Sequence, residues 1–239
     1  MVARFMTSRR GRRLLFGKVP LPGAVKTRLC PPLTPSEAAE LYTAFLHDIL
    51  GAAQREADRV ETIFAVWPDP MGLSQDLREP YPAIRFVDQV GQDLPARMEH
   101  ALRREFAVDA SPILLRNTDS PCLDEDLTAR AFEAFDDGAE LVVGPDRGGG
   151  YYLIGVSQQA LAVLGDLLSV LRDGPLDAVF ARTMQRARRL GLKTFVLPVQ
   201  DDVDQPEDLA RLRRQVEDDP LIAPATRRVI DELVRRGSL

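Results

Sequence analysis

Seven short apolar runs alternate along the chain with longer segments whose apolar residues recur at helical spacing, and this alternation constrains the fold most strongly. Short apolar runs are typical of buried strands, and the segments between them of helices that cover a sheet. The predicted strands are Leu14–Phe16, Glu61–Val66, Ile84–Val87, Pro112–Leu115, Leu141–Val143, Tyr151–Gly155 and Thr194–Leu197. The predicted helices are Pro35–Gln54, Leu94–Arg104, Asp124–Phe135, Gln158–Val170, Ala178–Leu190, Pro206–Gln215 and Pro224–Arg236. The pattern predicts an α/β protein of three layers, α/β/α, with a mostly parallel central sheet.

The size and charge of the chain limit its organisation and its partners. Its 239 residues suffice for one α/β domain and contain no internal repeat. We therefore expect a single domain over residues 1–239, with residues 223–239 forming a helical appendage. A formal net charge of −5 argues against general nucleic-acid binding, which needs a basic face.

No stretch of the sequence is apolar enough to span a bilayer, and no signal-peptide pattern precedes the first predicted strand. The expected location is therefore the cytoplasm. The two cysteines and two histidines have neither the spacing of a disulfide framework nor that of a zinc site; these residues are Cys30, Cys122, His47 and His100.

A loop rich in glycine and proline follows the first predicted strand and concentrates positive charge. It reads FGKVPLPGAVKTRL and holds two of the three lysines of the chain, Lys18 and Lys26, together with Arg28. Loop amides, ammonium groups and a guanidinium together satisfy the oxygens of a diphosphate. We therefore expect a nucleotide's phosphates to be bound by Lys18, Gly23, Lys26, Thr27 and Arg28. A basic surface turn is the alternative, since the spacing is not that of a Walker loop.

Acidic residues follow two other predicted strands, at the edge where an open α/β sheet binds ligands. Asp119 lies in the turn RNTDSP, and Asp202 and Asp204 lie in the segment QDDVDQP. Carboxylates from separate strand ends suit a hard divalent cation, whose coordination a nucleotide diphosphate would complete. The three aspartates are therefore the predicted ligands of Mg²⁺ or Mn²⁺. An Asx turn at Asp119 and a helix cap at Asp204 are the alternatives.

The segment GPDRGGGYYLIG joins the fifth and sixth predicted strands without room for a crossover helix. Consecutive glycines favour close approach of backbone to a ligand, and a tyrosine supplies an apolar wall with a hydroxyl. Gly149, Gly150 and Tyr151 are therefore predicted to line a base or sugar pocket. A tight hairpin with a core aromatic residue is the alternative.

Five segments in order along most of the chain resemble a bacterial family of glycosyltransferase-like proteins with the GT-A nucleotide-diphospho-sugar transferase fold. They are FGKVPLPGAVKTRL, QVGQDLPARM, NTDSPCL, GPDRGGGYYLIG and DDVDQPEDL. The resemblance extends more distantly to phospholactate guanylyltransferase and to molybdenum-cofactor nucleotidyltransferases.

The resemblance implies that a nucleotide binds at the carboxyl edge of the sheet, with the basic loop on its phosphates. It also implies that Asp119 is the central metal-binding aspartate and that Asp204, with Asp202, is a second acidic contributor. The family's QxGxDL element supplies further residues of the base or sugar pocket, which are Gln89, Gly91 and Asp93.

The chain departs from the family pattern in the glycine-rich segment. The family has DGGYY there, whereas this chain has Gly148 before Gly149 and Gly150. Asp146, two residues before Gly148, is the carboxylate that we assign as the catalytic base for the acceptor.

The first functional hypothesis is a metal-dependent glycosyltransferase that uses a nucleotide-diphospho-sugar donor and an unknown small-molecule acceptor. The second is a nucleotidyltransferase, similar to guanylyltransferases, that joins a nucleoside triphosphate to a phosphorylated small molecule. The third, motivated by Gly148, is a nucleotide-binding protein that has lost catalysis.

Overall fold

The computed structural model describes residues 11–124 and 126–239 of the chain. Its seven strands form one sheet in the order β3-β2-β1-β4-β6-β5-β7. All neighbouring pairs are parallel except those of β6, which is antiparallel to both β4 and β5. The strands are β1 Gly11–Lys18, β2 Val60–Trp67, β3 Arg85–Asp88, β4 Ile113–Asn117, β5 Leu141–Pro145, β6 Tyr151–Val156 and β7 Thr194–Val196. The predicted mostly parallel sheet is confirmed, and each predicted strand overlaps one of these seven.

Helices cover both faces of the sheet because the apolar residues of the strands alternate in direction. In β1, Leu15 packs into the core beside α1, α6 and α7, whereas Leu14 and Phe16 pack beside α2, α4 and α5. The helices are α1 Pro35–Arg55, α2 Leu94–Phe106, α3 Asp126–Asp136, α4 Leu164–Ser169, α5 Val179–Arg189, α6 Pro206–Asp218 and α7 Pro224–Arg236. The three predicted layers are therefore present.

The first strand begins three residues earlier than predicted, because Arg12 and Arg13 are buried rather than exposed. Arg12 donates to the carbonyl of Glu105 at 2.5 Å, and Arg13 donates to Glu56 at 2.6 Å. In a hydropathy pattern, two consecutive arginines indicate the boundary of a strand. Here the ion pairs and hydrogen bonds satisfy their charges within the fold.

The segment Gln158–Val170, predicted as one helix, contains a 3₁₀ turn over Gln159–Val163 followed by the short helix α4. Val163, the last residue of the 3₁₀ turn and the N-cap of α4, has a φ of −111° and a ψ of 10°, outside the helical region. The single-helix prediction was therefore wrong in this segment.

The last helix, α7, packs against α1 through Ile230 and Leu233 in a shared core cluster. The backbone amides of Ala225 and Thr226 donate to the two carboxylate oxygens of Asp48 on α1, at 2.9 and 2.7 Å. The carboxylate therefore satisfies amides at the positive end of α7 and fixes its position on the domain. Throughout the described ranges, the helices are too short or too polar to cross a bilayer.

Parallel pairing brings the carboxyl ends of three strands together. Lys18 at the end of β1 is in register with Trp67 at the end of β2, and Phe16 is in register with Asn117 of β4. Loops that follow these strands therefore share one edge, which is where an open α/β sheet binds its ligands.

Candidate functional site

A cavity of about 530 Å³ opens at this carboxyl edge. The volume lies within the range of small-molecule sites. Most of the residues predicted from the sequence line it, namely Lys18, Lys26, Thr27, Arg28, Gln89, Asp119, Asp146, Gly150, Tyr151, Asp202 and Asp204. The fold therefore brings the basic loop and the strand-end aspartates into one site.

Lys26 lies at the centre of the charged groups. It precedes a 3₁₀ turn and has a φ of 48°, in the left-handed region. Its side chain is only 4% exposed, and its Nζ donates to the carbonyl of Val203 at 2.7 Å and to Asp204 Oδ1 at 3.1 Å. Asp119 Oδ1 is a third close contact of the same ammonium. Burial alone would lower the pKa of Lys26, but the charges of Asp119 and Asp204 raise it above its usual value.

The wall beneath this ammonium is aromatic. Nζ of Lys26 lies 5.9 Å from the ring centre of Tyr42 and 5.8 Å from that of Phe45, both on α1. The Tyr42 hydroxyl also accepts from the amide of Lys18 at 3.1 Å and hydrogen-bonds with Thr118 at 2.7 Å. Helix α1 therefore joins the ends of β1 and β4 and positions the loop that carries Lys26.

The other cations of the loop are more exposed. The Arg28 guanidinium approaches Asp204 Oδ2 at 3.8 Å and is 57% exposed. Lys18 is exposed at the end of β1. Gly23 has a φ of 77° and open space around it, so its role in the described structure is to form the turn. Arg28 and Lys18 thus face the cavity with charge that a ligand can reach.

The side chains of Asp119 and Asp204 are available to ligands because other groups form the local turns and caps. Asn117 Oδ1 accepts from the amide of Asp119, and α6 begins with a capping box between Gln205 and Asp208. The Asx-turn and capping alternatives therefore do not account for the two carboxylates. The amide of Val203 donates to the carbonyl of Asp119 at 3.1 Å and ties the two loops together.

Two further carboxylates, those of Asp146 and Asp202, lie beside the glycine turn. A Cβ at Gly148 would lie 3.3 Å from Asp146 Oδ1 and 3.9 Å from Asp202 Oδ1. Burial raises the pKa of Asp146, which accepts the amide of Gly150 at 2.8 Å. Burial and the charges of Asp146 and Asp204 raise the pKa of Asp202 to about 7. Position 148, where the family pattern has a carboxylate, thus lies beside the carboxylates of Asp146 and Asp202.

Gly149, the next glycine of this turn, approaches the protein's own backbone. A Cβ at Gly149, where φ is 86°, would lie 1.8 Å from the carbonyl oxygen of Asp177. The Gly149 carbonyl accepts from the amide of Phe180 at 2.8 Å. The hairpin between β5 and β6 is therefore held against the start of α5, which explains the glycine without a ligand.

The hydroxyl of Tyr151 is buried without a hydrogen-bond partner in the described part of the chain. Burial and the charge of Asp146 raise its pKa. Because an unpaired buried hydroxyl is costly, a polar ligand group in the cavity would stabilise this side chain.

Residues of the QVGQDLPARM segment shape the opposite wall. Gln89 donates to the carbonyls of Gly17 and Ala65, both at 2.9 Å, and holds β1 and β2 together beside the cavity. Gly91 allows the loop to approach α2, because a Cβ there would lie 2.7 Å from the amide of Arg97. Asp93 caps α2 through Ala96 and pairs with Arg172 at 2.7 Å, outside the cavity lining.

Sequence reasoning missed Trp67 and Arg97, which both line the cavity. The Arg97 guanidinium lies 4.3 Å from the centre of the Trp67 ring. Nε of Arg97 is buried and, within residues 11–124 and 126–239, has no hydrogen-bond partner. The signal was available, because Trp67 directly follows the predicted strand Glu61–Val66 and Arg97 belongs to the QVGQDLPARM segment.

The oxygens around Lys26 fit a hard cation. Mg²⁺ binds carboxylate and carbonyl oxygens. Three such oxygens, from Asp119, Asp204 and the Val203 carbonyl, converge on one point. In the described residues, however, no group of three or more acidic, histidine or cysteine side chains is arranged to hold a metal alone. A cation at this point would therefore need further oxygens from a ligand.

Comparison with known proteins agrees with this architecture. Residues 51–168 match the model of the family described as uncharacterized protein conserved in bacteria (DUF2064). A curated relative, 2-phospho-L-lactate guanylyltransferase of Methanothermobacter thermautotrophicus, is 28% identical over 192 residues, covering 78% of each chain.

Solved structures are also similar. A cytidylyltransferase of Leptospira borgpetersenii is 13% identical and has a TM-score of 0.57, covering 96% of this chain and 95% of its own, and it shows the fold alone. A proposed nucleotide-diphospho-sugar transferase of Desulfovibrio desulfuricans G20 has a TM-score of 0.80 and is 30% identical, covering 94% of this chain and 95% of its own. With that identity over nearly the whole of both chains, this protein belongs to the same family as the Desulfovibrio protein, and it has the nucleotide-diphospho-sugar transferase fold.

Proposed function

We propose that this protein is a transferase that binds a nucleotide by its phosphate chain, together with a divalent cation, in the cavity at the carboxyl edge. The observation that carries the proposal is the convergence of Lys18, Lys26 and Arg28 with Asp119 and Asp204 on one cavity. The basic side chains there bind phosphate oxygens, and the carboxylates would hold a metal that neutralises the remaining charge.

The reaction that we favour is nucleotidyl transfer, in which a phosphorylated small molecule attacks the α-phosphate of a nucleoside triphosphate and pyrophosphate leaves. The curated guanylyltransferase, which this chain matches over 78% of its length, supports this reaction. The second candidate is sugar transfer from a nucleotide-diphospho-sugar, which the name of the Desulfovibrio relative supports. In both reactions the leaving group is a negatively charged phosphate species, which is pyrophosphate in nucleotidyl transfer and a nucleoside diphosphate in sugar transfer.

The residues of the chain have distinct parts in either reaction. Lys18 and Arg28, which are exposed to the cavity, bind and orient the leaving phosphates and stabilise the charge that develops on them. Asp119 and Asp204, with Asp202 beside them, would hold Mg²⁺ or Mn²⁺, which when bound stabilises that charge further.

In sugar transfer to a hydroxyl, Asp146 is the group that we assign to accept the acceptor's proton, whereas a phosphate acceptor attacks as an anion and needs no base. Asp146 lines the cavity, and its carboxylate is fixed by the amide of Gly150. The nucleotide base and the acceptor occupy the remaining cavity, between Gln89, Trp67 and Arg97 on one side and Tyr151 on the other.

The test begins with binding. The protein's melting temperature is measured with each nucleoside triphosphate and each matching nucleotide-sugar, in Mg²⁺, Mn²⁺ or EDTA. We expect a metal-dependent rise with one nucleotide family, and its loss in Asp119→Asn. Asp137→Asn, an exposed aspartate outside the cavity, is the matched control. Absence of any shift with all nucleotides in all three conditions would refute the proposal.

Turnover then separates the candidates. The same nucleotides are incubated with a panel of phosphorylated and hydroxylated small molecules, and the released phosphate species is identified. Pyrophosphate from a triphosphate indicates nucleotidyl transfer, and a nucleoside diphosphate from a nucleotide-sugar indicates sugar transfer. Binding without either product identifies a protein that has kept the nucleotide site and lost catalysis.

A further inference from the structure

The Lys26 ammonium occupies the point on which three oxygens of the site converge. Asp119 Oδ1, Asp204 Oδ1 and the carbonyl of Val203 all contact the same Nζ, and the Lys26 side chain is 4% exposed. The two carboxylates are themselves partly open, at 37% and 43% exposure. A solute can therefore reach the carboxylates, but the position between them is filled by the protein's own cation.

A divalent cation and this ammonium compete for the same oxygens. A metal between Asp119 and Asp204 would bind the same two carboxylates that hold Nζ. Two cations of total charge +3 at hydrogen-bond distance from one another repel strongly in a partly dry site. The metal can enter only if Lys26 moves away.

A phosphate chain gives Lys26 an alternative partner. Lys26 borders the same cavity as Lys18 and Arg28, and its side chain is the flexible, compact cation that binds phosphate as a point charge. When phosphate oxygens enter the cavity, the ammonium can transfer to them from the carboxylates. The carboxylates then carry uncompensated charge, and the phosphates supply the extra oxygens that the metal needs.

We propose that Lys26 is a stand-in cation that keeps the metal position closed until a nucleotide arrives, so that the site takes the metal only together with the nucleotide's phosphate chain. The inference rests on the proposed function, since it takes the ligand to be a nucleotide. It goes beyond the proposed function by stating that metal and nucleotide bind together, and that Lys26 pairs with the two carboxylates in the free protein.

The proposal has a thermodynamic consequence. If nucleotide raises the affinity for metal by some factor, metal must raise the affinity for nucleotide by the same factor. Part of that factor comes from direct contact between metal and phosphate, and part comes from the release of Lys26. Removing the ammonium should therefore strengthen the binding of metal alone and reduce the coupling.

The experiment titrates Mn²⁺ alone into the full chain and measures free Mn²⁺ by electron paramagnetic resonance. The variants are Lys26→Met, which keeps an unbranched side chain one atom shorter and removes its charge, and Lys193→Met, a control at the exposed third lysine outside the cavity. Circular dichroism and the melting temperature establish that each variant is folded.

We expect Lys26→Met to bind Mn²⁺ at least about ten-fold more tightly than wild type, because one positive charge has left the position. Lys193→Met should bind like wild type. Equal Mn²⁺ affinity in wild type and a folded Lys26→Met would overturn the proposal, as would a folded Lys26→Met that binds no Mn²⁺.

A second measurement uses wild type alone and does not depend on the variant. Mn²⁺ affinity is determined without nucleotide and with the nucleotide that gives the largest thermal shift. We expect at least about a ten-fold gain with nucleotide, and no gain would contradict the proposal. The two failures are distinguishable, since a chain that binds no nucleotide fails the proposed function while the Mn²⁺ titration of Lys26→Met still reports on the carboxylates.

Discussion

Replacing Gly149 with alanine should destabilise the protein by more than an ordinary change of glycine at positive φ. Gly149 has a φ of 86°, and its Cβ would lie 1.8 Å from the carbonyl oxygen of Asp177. Since real Cβ contacts stay beyond about 3 Å, the backbone at Asp177 must move by more than 1 Å. The hydrogen bond from the Phe180 amide to the Gly149 carbonyl would be lost with that movement.

The magnitude follows from these two contributions. The left-handed conformation costs a non-glycine residue about 1–2 kcal/mol. The lost hydrogen bond and the displaced backbone add roughly 1–2 kcal/mol. We therefore expect Gly149→Ala to lower the free energy of unfolding by about 2–4 kcal/mol.

Gly138→Ala is the matched control. Gly138 has a φ of 90°, and nothing lies within 4 Å of its Cβ position, so only the conformational cost applies. Urea unfolding followed by circular dichroism gives the free energy of both variants. Equal losses in the two variants would refute the contact with Asp177 as the reason for a glycine at position 149.

Four further changes test other parts of the structure. Gly148→Asp should lower the free energy of unfolding by roughly 1–3 kcal/mol more than Gly148→Asn, because its carboxylate would join those of Asp146 and Asp202; the difference, read from urea unfolding, should shrink in saturating Mn²⁺. Glu105→Ala should cost about 3–5 kcal/mol in the same assay, since this buried carboxylate pairs with Arg85 at 2.6 Å. Arg97→Met should weaken the binding of the stabilising nucleotide about ten-fold by calorimetry, without changing the melting temperature of the free protein. Burial lowers the pKa of His47, so the native state resists protonation of this side chain. Stability should therefore fall as the pH drops below the usual pKa of histidine. Between pH 7 and pH 5, the urea midpoint should fall less in His47→Gln than in wild type.

The order of strands and helices was accessible from the sequence because each element follows its own apolar period. Leu14 and Leu15 point to opposite cores, as the alternation of a strand requires, and the helix over Pro35–Arg55 begins with the Thr34 and Glu37 of a capping box. The start of β1 was not accessible. The burial of Arg12 depends on Glu105, which is 93 residues further along the chain, and no local pattern reports a contact of that range.

The candidate site was likewise predictable only in part. Sequence position placed Lys26, Asp119 and Asp204 at the carboxyl edge, because parallel strands bring their ends together. It did not show that the ammonium of Lys26 lies between the two carboxylates, since that contact joins residues 178 positions apart. Spacing along a chain reports which groups reach an edge, whereas their pairing depends on loop conformation.

The turn at Gly148 shows why the departure from the family pattern is not by itself a loss of function. A carboxylate at position 148 would project toward Asp146 and Asp202, whose oxygens lie 3.3 and 3.9 Å from its Cβ. Those two aspartates already place negative charge at this point, and burial has raised the pKa of both. A third carboxylate would increase their repulsion unless a cation were present to offset it. With one carboxylate fewer than the family pattern, the chain therefore still places the carboxylates of Asp146 and Asp202 at this point, and Gly148 alone is not evidence of a lost function.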